Sequence, residues 1–201
     1  FREVDLPIIK LLFEEEKPLL LAVRDFIVSQ EWGKRYELIF SSDHLLELTR
    51  RGADTSPPLF SARAVLDAPE LLAGLHREEV AAGAEIVTAC TFRTHGRRDW
   101  TLRAVELARA SGARWVAGSL APLADCWRPD LVPSDVDLVR RHREQARRLA
   151  EAGVDAILVE TIGTGRELVA AVAAASQTGL PVVACVTTDG RGGLLSGEPL
   201  A

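Results

Sequence analysis

One arrangement of residues recurs four times and restricts the fold more than any other feature of the chain. Ala82-Gly83 leads into Glu85-Ile-Val-Thr-Ala-Cys90. Ser111-Gly112 leads into Arg114-Trp-Val-Ala-Gly-Ser119. Ala152-Gly153 leads into Val154-Asp-Ala-Ile-Leu-Val159, and Thr178-Gly179 leads into Pro181-Val-Val-Ala-Cys185. Each reads as a small residue and a glycine closing a helix, then an apolar strand, then small or polar residues. Glycine suits the first position because the residue just past a helix end commonly has positive φ. The glycines stand 29, 41 and 26 residues apart, and a βα unit with its return strand takes about 30 residues or more. Short apolar runs between turn signals are how strands covered on both faces look. The reading is a set of βα units in one parallel sheet.

The rest of the chain fits around these units. Glu37 to Phe40 is a plausible first strand, and Leu45 to Arg51 a helical turn closed by Gly52. Asp54 to Pro58 is a loop, its two prolines excluding regular structure. Asp67 is expected to cap a helix beginning at Ala68-Pro69, with a stripe of Leu71, Leu72, Leu75 and Val80. Predicted strands at Glu85–Cys90, Trp115–Ala117, Val154–Val159 and Pro181–Val186 alternate with helices from Trp100 to Ala110, from Ser134 onward, and from Gly165 to Ser176. Ser134 and Asp137 resemble a capping box.

Composition divides the chain near residue 40. All three lysines, the one tyrosine and four of six phenylalanines lie at or before it. Residues 1–36, apolar and interrupted at Pro18, are expected to form a helical extension of unknown role, with residues 37–201 as the main domain. The first residue is Phe1 and methionine is absent, so a missing or processed start is expected. The net charge is −5 with no basic block, which argues against nucleic acid as a partner. No apolar run reaches the length of a membrane span, and no signal peptide is visible. Cys90, Cys126 and Cys185 are odd in number and far apart, which argues for a reducing, cytoplasmic setting rather than a disulfide framework.

In parallel α/β folds the carboxyl ends of strands open into the ligand crevice. Glu160 stands where the strongest predicted strand stops. Ser41, Asp43, Cys90, Thr91, Ser119, Thr161, Thr187 and Asp189 stand at the other strand ends. Hydroxyls and free amides there suit a carboxylate, and Glu160 suits an ammonium group. Together they describe an amino-acid pocket. Among the histidines, His95 is the candidate site residue and His44 a weaker one; His76 and His142 lie mid-helix, where packed or surface roles dominate. No HExxH or Cys-x-x-Cys spacing occurs, so no local metal motif is read.

Several stretches occur in an order that resembles the homocysteine S-methyltransferase family. They are Arg50-Arg-Gly52, Pro58-Leu-Phe-Ser-Ala62, Ala81 to Thr94, Val116 to Pro122, His142-Arg-Glu-Gln145, Ala152 to Asp155, Glu160-Thr161 and Thr187-Thr-Asp-Gly190. The resemblance covers roughly residues 37–201. It implies a TIM (β/α)8-type barrel that methylates the thiol of homocysteine, giving methionine, with betaine, S-methylmethionine or a folate as donor. It implies a zinc that holds the thiol as thiolate, the nucleophilic form. It also implies that Glu160 contacts the substrate amino group and that Thr91 and Phe92 line the pocket.

Two departures stand out. The family's zinc ligands are three cysteines beyond the fifth strand, and on this resemblance they are expected to lie beyond Ala201. Cys90, Cys126 and Cys185 do not map onto them, so the barrel is expected to be incomplete in this chain, after about five of eight units, and without metal. The family's Asp-Gly-Gly turn is here Ser41-Ser42-Asp43, with Asp43 a displaced substitute for the carboxylate. The expected partners are homocysteine and a small methyl donor, with a second copy or a completing segment covering the open edges. A non-catalytic amino-acid-binding or scaffold module is the rival reading. A Schiff-base lyase is disfavoured because no lysine follows position 34.

Overall fold

The structure is a computed structural model and describes residues 44–199. The helical extension over residues 1–36, the expected strand Glu37–Phe40 and the Ser41-Ser42-Asp43 turn lie outside the described residues. So does Ala201, the position beyond which the family's metal ligands are expected.

Short helices come first: α1 (Leu45–Arg50), a 3-10 turn (Phe60–Arg63), α2 (Ala64–Asp67) and α3 (Pro69–Ala81). Strands and helices then alternate as β1 (Ile86–Ala89), α4 (Arg98–Arg109), β2 (Trp115–Leu120), α5 (Asp135–Glu151), β3 (Ala156–Ile162), α6 (Gly165–Ser176) and β4 (Val182–Val186). The strands form one sheet in the order β1-β2-β3-β4, and every neighbouring pair is parallel.

Strand order and helix placement together exclude a doubly wound sheet. Val87, Ala89, Val116, Leu120, Ile157, Val159 and Ile162 share one core with Val105 and Ala108 of α4, Ala146 and Leu149 of α5, and Ala171, Ala174 and Ala175 of α6. All three crossover helices therefore lie on one face. Consecutive parallel strands with every helix outside is how a barrel wall is built, whereas a doubly wound sheet reverses its order and covers both faces. The opposite, inner face carries Ala117, Ser119, Leu158 and Val183 by register.

The glycine turns take the expected form. Gly83, Gly112, Gly153 and Gly179 have φ of 106°, 81°, 83° and 77°. Arg109 reinforces the turn at Gly153, donating to its carbonyl at 2.5 Å and pairing with Asp155 at 2.7 Å. Asp155 also accepts from the amide of Val116 at 2.7 Å, which ties β2 to the start of β3.

Several local expectations are corrected. Asp67 does not cap α3: it closes α2, and Ala68, at φ −145° and ψ 51°, precedes Pro69 without a side-chain cap. Ser134 does cap α5, accepting from the amide of Asp137, but the Asp137 carboxylate accepts from the Ser134 hydroxyl at 3.1 Å. β2 runs three residues past Ala117. Gly118 is no terminator: a Cβ there would lie 2.8 Å from Leu149 Cδ2 and 3.0 Å from Val154 Cγ1, so glycine lets α5 approach the strand. β3 likewise runs through Glu160 to Ile162.

Candidate functional site at the strand carboxyl ends

Parallel strands bring their carboxyl ends to one rim, and strand alternation at β3 turns Glu160 toward its inner side just before a bulge. Val159 pairs with Ala184 and Ile162 with Val186, so β3 carries one residue more than β4 over that interval. A strand alternates its side chains. Val159 is buried on the helix side, and Glu160 next to it therefore faces inward. Thr161 absorbs the extra residue in a left-handed conformation, φ 56°, and Ile162 returns to the core. Without the bulge Ile162 would face inward. A threonine at positive φ is uncommon, and such backbone strain, of order 1–3 kcal/mol, clusters at functional sites.

Glu160 is half-buried, and two thiols sense it. Partial desolvation pushes the thiol of the solvent-exposed Cys185 up, and the Glu160 carboxylate adds to that. Burial also pushes Cys126 up, with Arg93 opposing and Asp125 and Glu160 reinforcing. The carboxylate thus lies among β3, the end of β4 and the loop after β2. Ser119 shares its face, paired in register with Leu158. The Ser119 hydroxyl is buried with no hydrogen-bond partner among the described residues.

Thr91 has a different situation. Its hydroxyl donates to the Ser119 carbonyl at 3.0 Å and accepts from the Ser119 amide at 2.8 Å. It is fully buried and extends the β1–β2 pairing where the strand itself has ended. Phe92 is half-buried, and the guanidinium of Arg93 lies 4.9 Å from its ring centre. Arg93 also donates to the carbonyls of Pro122 and Ala124, at 3.2 and 3.0 Å. The loops after β1 and β2 are thereby joined. Asp43 falls outside the described residues.

Behind the rim runs a buried polar network that the sequence reading did not assign. Glu167 Oε1 accepts from the amide of Leu123 at 2.9 Å and lies 3.2 Å from His142 Nε2; both side chains are at most 1% exposed. Gln145 donates to Thr94 at 3.1 Å, and Thr94 donates to the Thr91 carbonyl at 3.0 Å. The sequence signal was present, since Thr164-x-x-Glu167 is a capping-box pattern and the Thr164 hydroxyl does accept from the Glu167 amide. His95 also sits here, its Nε2 buried without a partner among the described residues. Burial, then the charges of His142, Arg141 and Arg93, hold its pKa down to about 3.

Residues 44–201 match the family described as homocysteine S-methyltransferase. The chain belongs to that family. A homocysteine S-methyltransferase of Bacillus subtilis, YbgG, is 27% identical, the match covering 58% of this chain and 47% of that one. The chain thus spans about half the length of this curated relative. Among solved structures, the metallated form of homocysteine methyltransferase MmuM from Escherichia coli superposes with a TM-score of 0.72 at 22% identity, over 87% of this chain and 71% of that one. Its oxidised form gives 0.75 at 22% identity, over 87% and 70%. These likenesses establish the fold, a TIM-type barrel of which this chain forms a part.

The three cysteines do not fit a three-thiolate zinc centre. Cys90 is buried among Val65, Leu72, Ala73, Ala104 and Leu107 on the helix side; Cys126 is half-buried and Cys185 exposed. Among the described residues one group of three ligand-type side chains stands close together, His44, His76 and Glu79. Sequence spacing gave no sign of it because His44 reaches the other two through packing of helices. No helix among the described residues is long and apolar enough to cross a membrane.

Proposed function

We propose that this chain forms the amino-acid-binding part of a homocysteine S-methyltransferase. Glu160 holds the substrate ammonium group, the Ser119 hydroxyl and nearby backbone of the rim face the substrate, and Phe92 and Thr91 shape the wall beside it. The reaction forms a bond between the homocysteine sulfur and the donor's methyl carbon as the donor's bond to that carbon breaks. The thiol proton must leave first, because the thiolate is the nucleophile. In this family zinc stabilises that thiolate, but the cysteines of this chain do not supply such a centre. The roles of the present residues are to bind the amino acid and to fix where its sulfur lies.

The observation that carries the reading is the inward-facing Glu160 at the rim, next to the helix-side Val159 and followed by a left-handed Thr161. Titration calorimetry with L-homocysteine and with 4-mercaptobutyrate, which lacks the amino group, tests it. An ion pair to Glu160 predicts that Glu160→Gln weakens homocysteine binding roughly 10- to 100-fold, since hydrogen bonds to charged groups contribute about 1.5–3 kcal/mol. Binding of 4-mercaptobutyrate should be weak in both proteins. Equal affinity for the two ligands would remove the ammonium assignment. Adding S-methylmethionine or betaine and following methionine by mass spectrometry then separates methyl transfer from binding without turnover, the rival favoured by the dispersed cysteines.

A further inference from the structure

The helical layer holds a second cluster of chemistry-bearing side chains, separate from the rim. His76 and Glu79 are three residues apart on α3 and so share one of its faces. His44 immediately precedes α1. Two contacts fix α1 against the helices that follow it: Leu48 packs in one cluster with Ala64 and Leu75, and Arg51 forks onto Glu78 at 2.8 and 2.7 Å. His44 is thereby held over α3. Its Nε2 lies 3.0 Å from His76 Nδ1, and its Nδ1 lies 3.0 Å from Glu79 Oε1. His76 Nδ1 is 3.7 Å from Glu79 Oε2. One ligand atom from each of the three residues falls within 4.8 Å of the others.

Hydrogen bonding within the cluster does not use all of its polar atoms. His76 Nε2 and Glu79 Oε2 are buried without a hydrogen-bond partner among the described residues. His76 is 0% and His44 5% exposed, while the Glu79 side chain, at 21%, gives the cluster its opening to solvent. Neutral imidazole and carboxylate are the donors that suit zinc, cobalt and nickel. Tetrahedral zinc with bonds of about 2.0–2.1 Å needs donor atoms roughly 3.3 Å apart; His44 Nε2 and His76 Nδ1, at 3.0 Å, and His76 Nδ1 and Glu79 Oε2, at 3.7 Å, bracket that spacing.

We propose that His44, His76 and Glu79 form a binding site for one divalent transition-metal ion of the zinc class, which ties α1 to α3. Its donors are imidazole nitrogen and carboxylate oxygen, from the residue before α1 and from α3. The ion takes the place of the proton shared between the two imidazoles, and binding therefore releases protons.

Cobalt(II) is the probe, added to the full 201-residue chain after chelator treatment. One equivalent should bind, with weak visible d–d bands and no near-ultraviolet thiolate-to-cobalt band. His44→Gln and Glu79→Gln should each lower affinity at least about tenfold, since loss of even an outer-shell partner costs roughly 10- to 100-fold. The Cys90→Ala/Cys126→Ala/Cys185→Ala triple variant should bind as the parent does. Zinc should raise the melting temperature of the parent and the triple variant but not of His44→Gln, a check that also reports whether each variant is folded. Substoichiometric binding, a thiolate charge-transfer band, or unchanged affinity in folded His44→Gln and Glu79→Gln would each overturn the proposal.

Discussion

The two ends of the sheet are built from the same strands yet follow different rules. At the amino end every strand is entered the same way, through a glycine with φ between 77° and 106°. At Gly112, Gly153 and Gly179 nothing crowds the position of a missing Cβ, so these glycines serve backbone conformation alone. At the carboxyl end the first three strands finish differently. β1 stops and Thr91 continues the pairing through its side chain, β2 runs on past a glycine, and β3 bulges around a threonine with positive φ. In barrels of this type the amino end carries stability and the carboxyl end chemistry. Here the uniform end solves one problem of chain geometry four times. The irregular end is where a bulge follows an inward carboxylate and two loops are joined by Arg93.

Substitutions test that division most sharply when each end is read for both stability and binding. The largest effect is expected just behind the rim. Glu167→Ala leaves His142 and the Leu123 amide without their partner, and breaking a buried pair of this kind costs about 3–5 kcal/mol. Urea unfolding should register that loss, and homocysteine binding should weaken with it because the loop after β2 loses its anchor. A change below about 1 kcal/mol would mean that the network is not what supports the rim.

At the amino end, Gly153→Ala places a Cβ at φ 83° and should cost about 1–2 kcal/mol, with homocysteine affinity unchanged. A loss of affinity there would break the division. A further effect, of similar size, concerns pH. His95 has its folded pKa held near 3, below an ordinary value of about 6.5. Between those values the unfolded chain binds more protons, so stability is complete above about pH 6.5 and declines as pH falls toward about 3. One such group contributes at most about 1.4 kcal/mol per pH unit. His95→Gln should flatten unfolding stability between about pH 6.5 and about pH 5 relative to the parent, and an unchanged slope would show that the imidazole titrates normally.

The regular end was legible because its signal is local: a small residue, a glycine and an apolar run fit inside about nine residues. The parallel sheet and its helices followed, as did membership of the family once the stretches were taken in order. Strand ends were read too early for the same reason. Gly118 looks like a stop in sequence, but it exists so that Leu149 and Val154 can pack over it. Glu160 looks too polar for a strand, but β3 runs through it to Ile162 and turns it to the inner face. The buried clusters were illegible in a different way. His76 and Glu79 show helical spacing, yet His44 joins them across 32 residues, and only the packing of α1 on its neighbours makes that contact. His142 and Glu167 are separated by 25 residues and a strand.

The central claim is that ligand recognition belongs to the bulged rim and not to the glycine turns. Crossing Glu160→Gln with Gly153→Ala, and measuring homocysteine affinity and unfolding free energy for all four proteins, addresses it directly. The account predicts that Glu160→Gln lowers affinity at least about tenfold with stability within about 0.5 kcal/mol of the parent, that Gly153→Ala does the reverse, and that the two effects add. Affinity lost through Gly153→Ala, or retained in Glu160→Gln, would contradict it.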